Sequence, residues 1–238
     1  MRRFGLFFVT LLLAGRQHVS AQALPSGPGQ PWYAAVYLAD HNFEIVVPGY
    51  APGLTGVQPY QVKVGRWLGP RWALEVGYSA YHFVDKRTAY GTTATGEPTS
   101  RYSSSEDWAT ALPVLLRRRL THQAAHRFQF DGLAGLTVVQ YRDQLAVIEQ
   151  TNGHVVREQA WGSRATNSYL TLGPAASYLF GQHVEATVEA SLTKNLRTID
   201  RTFSTQQLNG TLGFQRGWNV GLRYRFDVKR KAGASNAL

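Results

Sequence analysis

The sequence predicts an all-β fold in which eight antiparallel strands close into an up-and-down barrel. Apolar residues alternate with polar or small residues along eight segments, which is the period of a strand with two unlike faces. The connections between these segments alternate between short and long. An even strand number with short turns at one end and long loops at the other is typical of barrels that cross a membrane.

The first residues predict export. Residues 1–21 have the features of a signal peptide: a basic start, an apolar stretch from Phe4 to Ala14, and small residues before a cleavage site after Ala21 or Ala23. The apolar stretch is too short for a helix that spans roughly 30 Å of hydrocarbon, which favours export over a membrane anchor. A linker rich in Pro and Gly, residues 22–31, follows.

The hairpin between Tyr60 and Phe83 is the clearest element of the sequence. Leu68–Arg71 form its turn, because glycine adopts unusual backbone angles and proline cannot donate to a strand ladder. On either side of this turn, one face is apolar and the other is polar or small. The apolar face carries Tyr60, Val62, Val64, Trp72, Leu74, Val76, Tyr78 and Ala80, and the opposite face carries Gln61, Lys63, Gly65, Ala73, Glu75, Gly77 and Ser79.

The same alternation locates the other strands. The eight predicted strands span residues 32–39, 58–67, 72–84, 107–120, 126–141, 165–180, 183–197 and 212–228. Short turns are predicted at 68–71, 121–125 and 181–182, and long polar connections at 40–57, 85–106, 142–164 and 198–211. The first strand is too evenly apolar for its faces to be assigned.

These limits define one barrel domain over residues 32–228, followed by a basic, flexible periplasmic tail at 229–238. Pro113 and Pro174 fall within predicted strands, where each removes a ladder hydrogen bond. We therefore expect a bulge at each proline.

The polarity of the chain suits a membrane barrel. A mean hydropathy of −0.25 is too polar for a helical membrane protein, but a membrane barrel hides half of each strand from lipid. Aromatic residues gather near both ends of the predicted strands, as in the two interfacial girdles of such barrels. The predicted membrane-interface aromatics are Trp67, Trp72, Tyr81, Trp108, Tyr169, Phe180, Trp218, Tyr224 and Phe226.

The polar strand faces predict a charged barrel interior. The lumen of an eight-stranded barrel is just filled by side chains, and a buried charge needs a partner. The predicted interior charge network consists of Lys63, Glu75, Arg117, Glu185, Glu189, Arg223 and Arg225. We expect these residues to form ion pairs that hold the fold together and close the lumen. A selectivity ring in an open pore is the alternative.

Composition excludes several kinds of site. The chain has no Cys, so disulfides, thiolate metal sites and a catalytic thiol are absent. Its formal net charge is +10, but some of the bases lie in the predicted signal peptide and others at the predicted periplasmic rim. We interpret that rim as a solvated surface that helps to set topology, so no nucleic-acid partner is expected. No metal-ligand spacing, phosphate loop or nucleotide fingerprint occurs, and no cofactor or metal is expected.

The signal peptide, the eight alternating strands, the three short turns, the four long loops and a final aromatic strand together resemble the small bacterial outer-membrane β-barrel family. This group includes the transmembrane domain of outer membrane protein A. The last strand, Gly217 to Phe226, resembles the closing strand that the barrel-assembly machinery reads by its terminal aromatic. The chain departs from that pattern by continuing from Asp227 to Leu238. The resemblance implies a location in the outer membrane of a Gram-negative bacterium, with outer-membrane lipid and lipopolysaccharide as partners.

Catalytic patterns are weak in this sequence. The His-x-Ser spacing that could activate a serine occurs at His18–Ser20, inside the predicted signal peptide. Asp40, His41, His82 and Asp85 could gather at the extracellular rim as in a barrel protease, but loop-end polar residues are usually only solvated. We therefore predict a non-enzymatic envelope or surface-interaction barrel. The alternatives are a narrow channel, a lipid A-modifying or proteolytic barrel, and a secreted soluble barrel.

Overall fold

A computed structural model describes residues 32–47, 53–54, 59–121, 127–181, 183–198 and 214–226. The predicted signal peptide, linker and periplasmic tail lie outside these residues and stay predictions. The strands are β1 (Trp32–His41), β2 (Glu44–Ile45), β3 (Gly53–Leu54), β4 (Tyr60–Trp67), β5 (Trp72–Thr92), β6 (Pro98–Arg119), β7 (Phe128–Thr151), β8 (His154–Leu179), β9 (Val184–Asn195) and β10 (Phe214–Phe226). A 3₁₀ turn covers Leu196–Thr198, and no helix in the described part of the chain is long and apolar enough to span a membrane.

Eight of these strands form a closed ring in the order β1-β10-β9-β8-β7-β6-β5-β4, which confirms the predicted barrel. Every neighbouring pair is antiparallel, and β1 closes the ring by pairing with both β4 and β10. The connections after β4, β6 and β8 lie at one end, which we call the short-turn end. The connections after β1, β5, β7 and β9 lie at the other, which we call the long-hairpin end.

The alternation in the sequence becomes an outward and an inward face. Val36 in β1 is 60% exposed and Leu222 in β10 is 54% exposed, whereas Arg117 and Arg223 on the inward faces are at most 1% exposed. The faces of β1, which the sequence left unassigned, follow from its pairing: Tyr33, Ala35 and Tyr37 point inward and Val36 and Leu38 outward. The barrel therefore has an apolar exterior and a polar core.

Two predicted long loops are in fact strand. The structure corrects the connections predicted at 85–106 and 142–164. In the first, β5 continues to Thr92 and β6 already begins at Pro98; in the second, β7 continues to Thr151 and β8 already begins at His154. Residues 85–106 are mostly polar, and the apolar residues of 142–164 come in runs such as Leu145–Ile148, so the alternation that marks a half-buried strand is missing. The outer parts of the four strands form a sheet that rises above the barrel, and we call it the projecting sheet. Its β5 part from Tyr81 to Thr92 extends about 40 Å.

The tip of the β7–β8 hairpin carries a sequence signal that the loop prediction overlooked. Asn152 and Gly153 both have positive φ, 53° and 77°, and Thr151 pairs with His154 across them. This is the two-residue turn that an Asn-Gly pair favours, because its twist matches that of the two strands.

The bulges expected at Pro113 and Pro174 do not form. The β5–β6 register is the same on both sides of Pro113, and the β8–β9 register is the same on both sides of Pro174. In an antiparallel ladder the N–H of a residue points to only one neighbouring strand, so each proline keeps its pairing on the other side. The register shift in the β7–β8 ladder lies instead between Glu149 and Gln150, near the tip.

Candidate functional site

Arg117 lies at the centre of the barrel interior. Its Nε donates to Glu75 Oε1 at 2.5 Å, its Nη1 donates to Asp131 Oδ2 at 2.9 Å, and its Nη2 donates to Glu189. One guanidinium from β6 thereby joins carboxylates from β5, β7 and β9. Because five N–H donors in a fixed plane suit several carboxylates at once, arginine is well adapted to this position.

The other charges of the interior continue this set of ion pairs. Lys63 donates to Glu189 and lies 4.0 Å from Glu75. Arg223 donates through Nη1 to Glu185 at 2.9 Å and through Nη2 to Glu75 at 3.4 Å, and Arg225 contacts Glu185. The structure thus brings together all seven residues of the predicted interior charge network, each less than 10% exposed, and adds Arg119 and Asp131.

Two tyrosines complete the network and were missed in the sequence. Tyr33 donates its hydroxyl to Glu75 at 2.6 Å, and Tyr37 donates to Glu189 at 3.1 Å. Gly65 lies between Tyr33 and Glu75 in the ladder, and a Cβ at Gly65 would collide with the Tyr33 ring. The missing side chain therefore lets the ring lie across the barrel wall and reach the carboxylate. The sequence signal that could have identified them is their spacing, which places both tyrosines on one face of β1.

The interior charges form ion pairs with one another. A carboxylate that accepts from two or three cations is held ionised and cannot easily serve as a general base. Breaking such a buried set leaves an uncompensated charge, which is costly. The arrangement is therefore suited to clamp six barrel strands together across the lumen.

The long-hairpin end of the lumen is filled by Asn42–Val47, which we call the strap. It includes β2 and folds back into the mouth of the barrel. Phe43 and Ile45 are 4% and 3% exposed and pack against Ala111, Val139, Ala165 and Tyr169. The Phe43 ring lies 4.3 Å from the His41 ring and 5.0 Å from the Tyr169 ring, centroid to centroid.

Three inward side chains of the wall hold the backbone of the strap. Asn167 Oδ1 accepts from Val46 N at 3.2 Å, and Tyr169 Oη and Asn195 Nδ2 donate to Glu44 O at 2.5 Å and 2.8 Å. Buried backbone groups need such partners, so these residues replace the ladder that the strap lacks on its inner side. The strap and the charge network occupy opposite halves of the lumen.

The predicted interface aromatics divide into two groups. Trp72, Phe180, Trp218 and Tyr224 are 41–54% exposed on the outward face, and Trp108 and Phe226 are half-buried there. The predicted position of Tyr81 is corrected: it follows Ser79 on the inward face of β5 and is half-buried at the base of the projecting sheet. The predicted positions of Trp67 and Tyr169 are corrected: both point inward and are 4% and 0% exposed. Their positions in the alternation, with Lys63 and with Thr171, place them on the inward face, and nearness to a strand end does not override it.

The residues considered for a rim protease do not gather. His41 points into the lumen, where its Nε2 lies 3.3 Å from Thr193 Oγ1. His82 is on the outward face and pairs with Glu106 at 2.9 Å, and Asp85 pairs with Arg87 in the projecting sheet. Among the residues that the structure describes, no three His, Asp or Glu side chains are placed to hold a metal ion.

The base of the projecting sheet carries two carboxylates that face each other. Asp107 in β6 pairs directly with Asp143 in β7, and Tyr141 donates to Asp107 at 3.3 Å. Partial burial raises the pKa of Asp107, the hydrogen bond from Tyr141 lowers it, and the Asp143 charge raises it further. Burial also raises the pKa of Tyr141, so this phenol stays a donor at neutral pH.

Asp107 therefore weakens the projecting sheet at neutral pH. A carboxyl whose pKa is raised by folding adds stability below its unfolded pKa, and that stability is lost as pH rises through the folded pKa. We expect Asp107→Asn to stabilise the sheet at pH 7 by about 0.5–1 kcal/mol, with little effect at pH 3. Amide hydrogen exchange of β6 and β7 measures this. Glu158→Gln, an exposed acid of the same sheet, is the matched control, and an equal gain from it would contradict the assignment to Asp107.

Comparisons with known proteins found similar chains among solved structures alone. No family model and no curated protein matches the sequence. Among solved structures, the chain is similar to Ail, the attachment invasion locus protein of Yersinia pestis, at 10% identity over 83% of this chain and 99% of that chain, with a TM-score of 0.41.

Two other solved structures match over similar lengths. The N-terminal β-barrel domain of Pseudomonas aeruginosa OprF is 11% identical over 83% of this chain and 99% of that chain, with a TM-score of 0.45. Acinetobacter baumannii CarO2 is 10% identical over 84% and 100%, with a TM-score of 0.39. At these identities the likeness concerns the fold alone. The chain's own register shows an eight-stranded antiparallel up-and-down barrel, as the sequence predicted.

Proposed function

We propose that this chain is an integral outer-membrane barrel without catalytic activity, which serves as an envelope component or binds external partners through its long hairpins. The observation that carries the proposal is the distribution of polarity, with apolar side chains outside and ion pairs inside. A soluble barrel has the reverse arrangement, because its apolar face forms the core. Lipid would cover the exposed outward residues, as in known membrane barrels.

The dimensions suit a membrane span. The outward apolar residues of β8, together with Phe180 directly after it, run from Leu170 to Phe180, the length that a tilted strand needs to cross the hydrocarbon core. Short turns face the periplasm and long loops the exterior in such barrels, so the projecting sheet and the strap belong to the extracellular side. The four-stranded projecting sheet is then the surface available to external partners.

A closed lumen argues against the channel alternative. The strap fills the extracellular half, and the interior charge network crosses the periplasmic half. An ion would have to displace a packed segment and then compete with paired charges. The first seal involves apolar packing and backbone hydrogen bonds, and the second involves ion pairs, so loss of one leaves the other in place.

One experiment tests both parts of the proposal. The full chain, with its predicted signal peptide, is expressed, membranes are fractionated, and the outer-membrane fraction is run on a gel with and without boiling. We expect a membrane-bound band whose migration changes on boiling, and no single-channel steps when the protein enters a planar bilayer. Recovery as a folded monomer in plain buffer would refute the membrane barrel. Steady conductance steps would favour the channel alternative.

Contacts with outer-membrane lipid fit the borders of the outward apolar band. At the short-turn border the guanidiniums of Arg66 and Arg118 lie over Trp32 and Trp72, at 5.4 and 5.2 Å from the ring centroids. At the other border the Arg142 guanidinium lies 5.2 Å from the centroid of the Trp108 ring. Arginine and tryptophan are amphipathic side chains that favour the membrane interface. Arg142 pairs in the ladder with Arg164, which is also outward. We propose that this arginine pair contacts phosphate groups of lipopolysaccharide.

Replacement of Arg142 and Arg164 by Gln tests the lipid contact. We expect diphosphorylated lipid A in neutral vesicles to stabilise the native barrel, and the double variant to lose about 1 kcal/mol of that gain per arginine. Urea unfolding with and without lipid A measures it. Arg101→Gln with Arg157→Gln, which removes two arginines from the inner face of the projecting sheet, is the control. An equal loss in the control would contradict a local site.

Assembly is proposed to depend on the last strand. β10 ends at Phe226, and Trp218, Leu222 and Tyr224 on its outward face are exposed. Because β10 pairs with both β9 and β1, it is also the strand that closes the ring. The barrel-assembly machinery would recognise this strand before closure.

A further inference from the structure

The interior charges of the barrel do not balance. The network contains five cations, Lys63, Arg117, Arg119, Arg223 and Arg225, and four carboxylates, Glu75, Asp131, Glu185 and Glu189. Within this network, one positive charge is therefore left without a counter-charge. A buried charge without compensation is costly, so an additional anion would stabilise the folded barrel.

The excess charge lies at the short-turn end. Arg119 is the last residue of β6, and Arg225 is the last inward residue of β10. Each is 8% exposed, so both are more than nine-tenths buried but lie next to the opening of the lumen. The inner members of the network, Arg117 and Arg223, are already bonded to carboxylates.

Both terminal guanidiniums keep hydrogen-bond donors unused. Nε and Nη2 of Arg119 and Nε of Arg225 are buried without a hydrogen-bond partner. Within the described part of the chain, the carboxylate contact of Arg119 is 3.8 Å, from Nε to Asp131 Oδ1, which is too long for a hydrogen bond. Among the residues that the structure describes, Arg225 contacts Glu185 through Nη2. A charged donor that is buried and unpaired loses its hydration without replacement.

The ring of Trp67 holds one of these groups in place. The Arg119 guanidinium lies 4.1 Å over the Trp67 ring, and Trp67 packs against Tyr33 and Ala73. A guanidinium stacked on a fixed ring presents its N–H groups in a defined plane, which suits the oxygens of a small oxyanion. Trp67, which lies in the interior and not at the membrane interface, is therefore placed beside this cation.

We propose that Arg119 and Arg225 bind a small inorganic anion, phosphate or chloride, at the periplasmic end of the lumen. The anion enters from the short-turn end and accepts from the unused donors of the two guanidiniums. It brings the charge of the interior into balance and closes the end of the lumen opposite to the strap.

The test uses the mature chain in a non-ionic maltoside detergent, which contributes no phosphate. Sodium chloride or sodium phosphate replaces sodium gluconate at constant ionic strength, and the urea midpoint of unfolding is followed. We expect a saturable rise of the midpoint, and an apparent affinity about tenfold weaker in Arg119→Gln, the loss of one charge-assisted pair. A larger response to phosphate than to chloride at equal ionic strength identifies the oxyanion as the ligand, and an equal response identifies the site as a general anion site.

Arg118→Gln is the matched control, because it removes the same charge from the next residue, which points outward over Trp72. If Arg118→Gln weakens the response as much as Arg119→Gln, rim electrostatics explain it and the site is refuted. A urea midpoint that depends on ionic strength alone, without saturation, also refutes the anion site, because water then hydrates the guanidinium donors.

A second measurement is independent of the stability of the variants. Crystals of the unaltered chain grown with bromide in place of chloride should give an anomalous peak within hydrogen-bond distance of the Arg119 and Arg225 guanidiniums. Bromide found only at surface positions, an adventitious ion only, would overturn the proposal. If Arg119→Gln fails to fold, Arg119→Lys replaces it, which keeps the charge but lacks the planar guanidinium with its paired N–H donors. We expect Arg119→Lys to bind phosphate more weakly than the unaltered chain.

Discussion

Arg117→Met is expected to destabilise the barrel by about 3–5 kcal/mol, the typical cost of breaking a buried ion pair from one side. Arg117 joins Glu75, Asp131 and Glu189, so its loss leaves three carboxylates with fewer cations. The barrel strands would lose the group at the centre of their interior contacts. Urea unfolding in lipid vesicles, followed by tryptophan fluorescence, measures the change.

Arg118→Met is the matched control for this substitution. Arg118 is adjacent in β6 but points outward at the short-turn border, where its guanidinium lies over Trp72. We expect a change of less than about 1 kcal/mol, the usual value for an exposed charge. Equal effects of the two substitutions would mean that the interior network does not stabilise the fold, and the proposed clamp would have to be abandoned.

Leu136→Arg is expected to cost about 2–4 kcal/mol when the barrel is in a bilayer, because a cation near the midplane of the lipid-facing surface is poorly solvated. Leu136 is 51% exposed on the outward face of β7, near the middle of the apolar band. In water the same substitution would be nearly neutral, since an exposed arginine is well hydrated. Unfolding in vesicles and migration on unboiled gels report the loss.

Gln144→Arg separates this effect from a general effect of charge. Gln144 is exposed on the same face of β7 but lies above the band, in the projecting sheet. We expect no measurable loss of stability from it. If Leu136→Arg were tolerated as well as Gln144→Arg, the outward band would not face lipid, and the membrane proposal would fail.

Much of the barrel was predictable because strand alternation is a local property. Lys63, Glu75 and Arg223 each stand between outward apolar neighbours, and their inward positions follow from that period alone. The same period places Trp67 and Tyr169 inward, and the prediction failed where nearness to a strand end was allowed to replace it. Tyr33 and Tyr37 were missed because the faces of β1 become distinct only through pairing with β4 and β10.

The long connections were harder, because polarity alone does not separate a loop from a strand exposed on both faces. The projecting sheet is held by ladders between β5, β6, β7 and β8, and such ladders leave little trace in side-chain polarity. The Asn152–Gly153 turn was the local signal available. In the strap, Phe43 and Ile45 alternate with Glu44 and Val46, but this short pattern does not show that the segment enters the lumen. Its place there depends on Asn167, Tyr169 and Asn195, far away in the chain, which hold its backbone.

The sequence by itself determined the number of barrel strands, the inward and outward faces of all of them but β1, and the presence of charges inside, because each depends on a two-residue period and on turn residues. The tertiary structure alone decided which charges pair, that the strap fills the mouth, and that Arg119 and Arg225 keep unused donors. Those contacts join residues from strands across the lumen, and their geometry depends on how the closed ring sets the strands against one another.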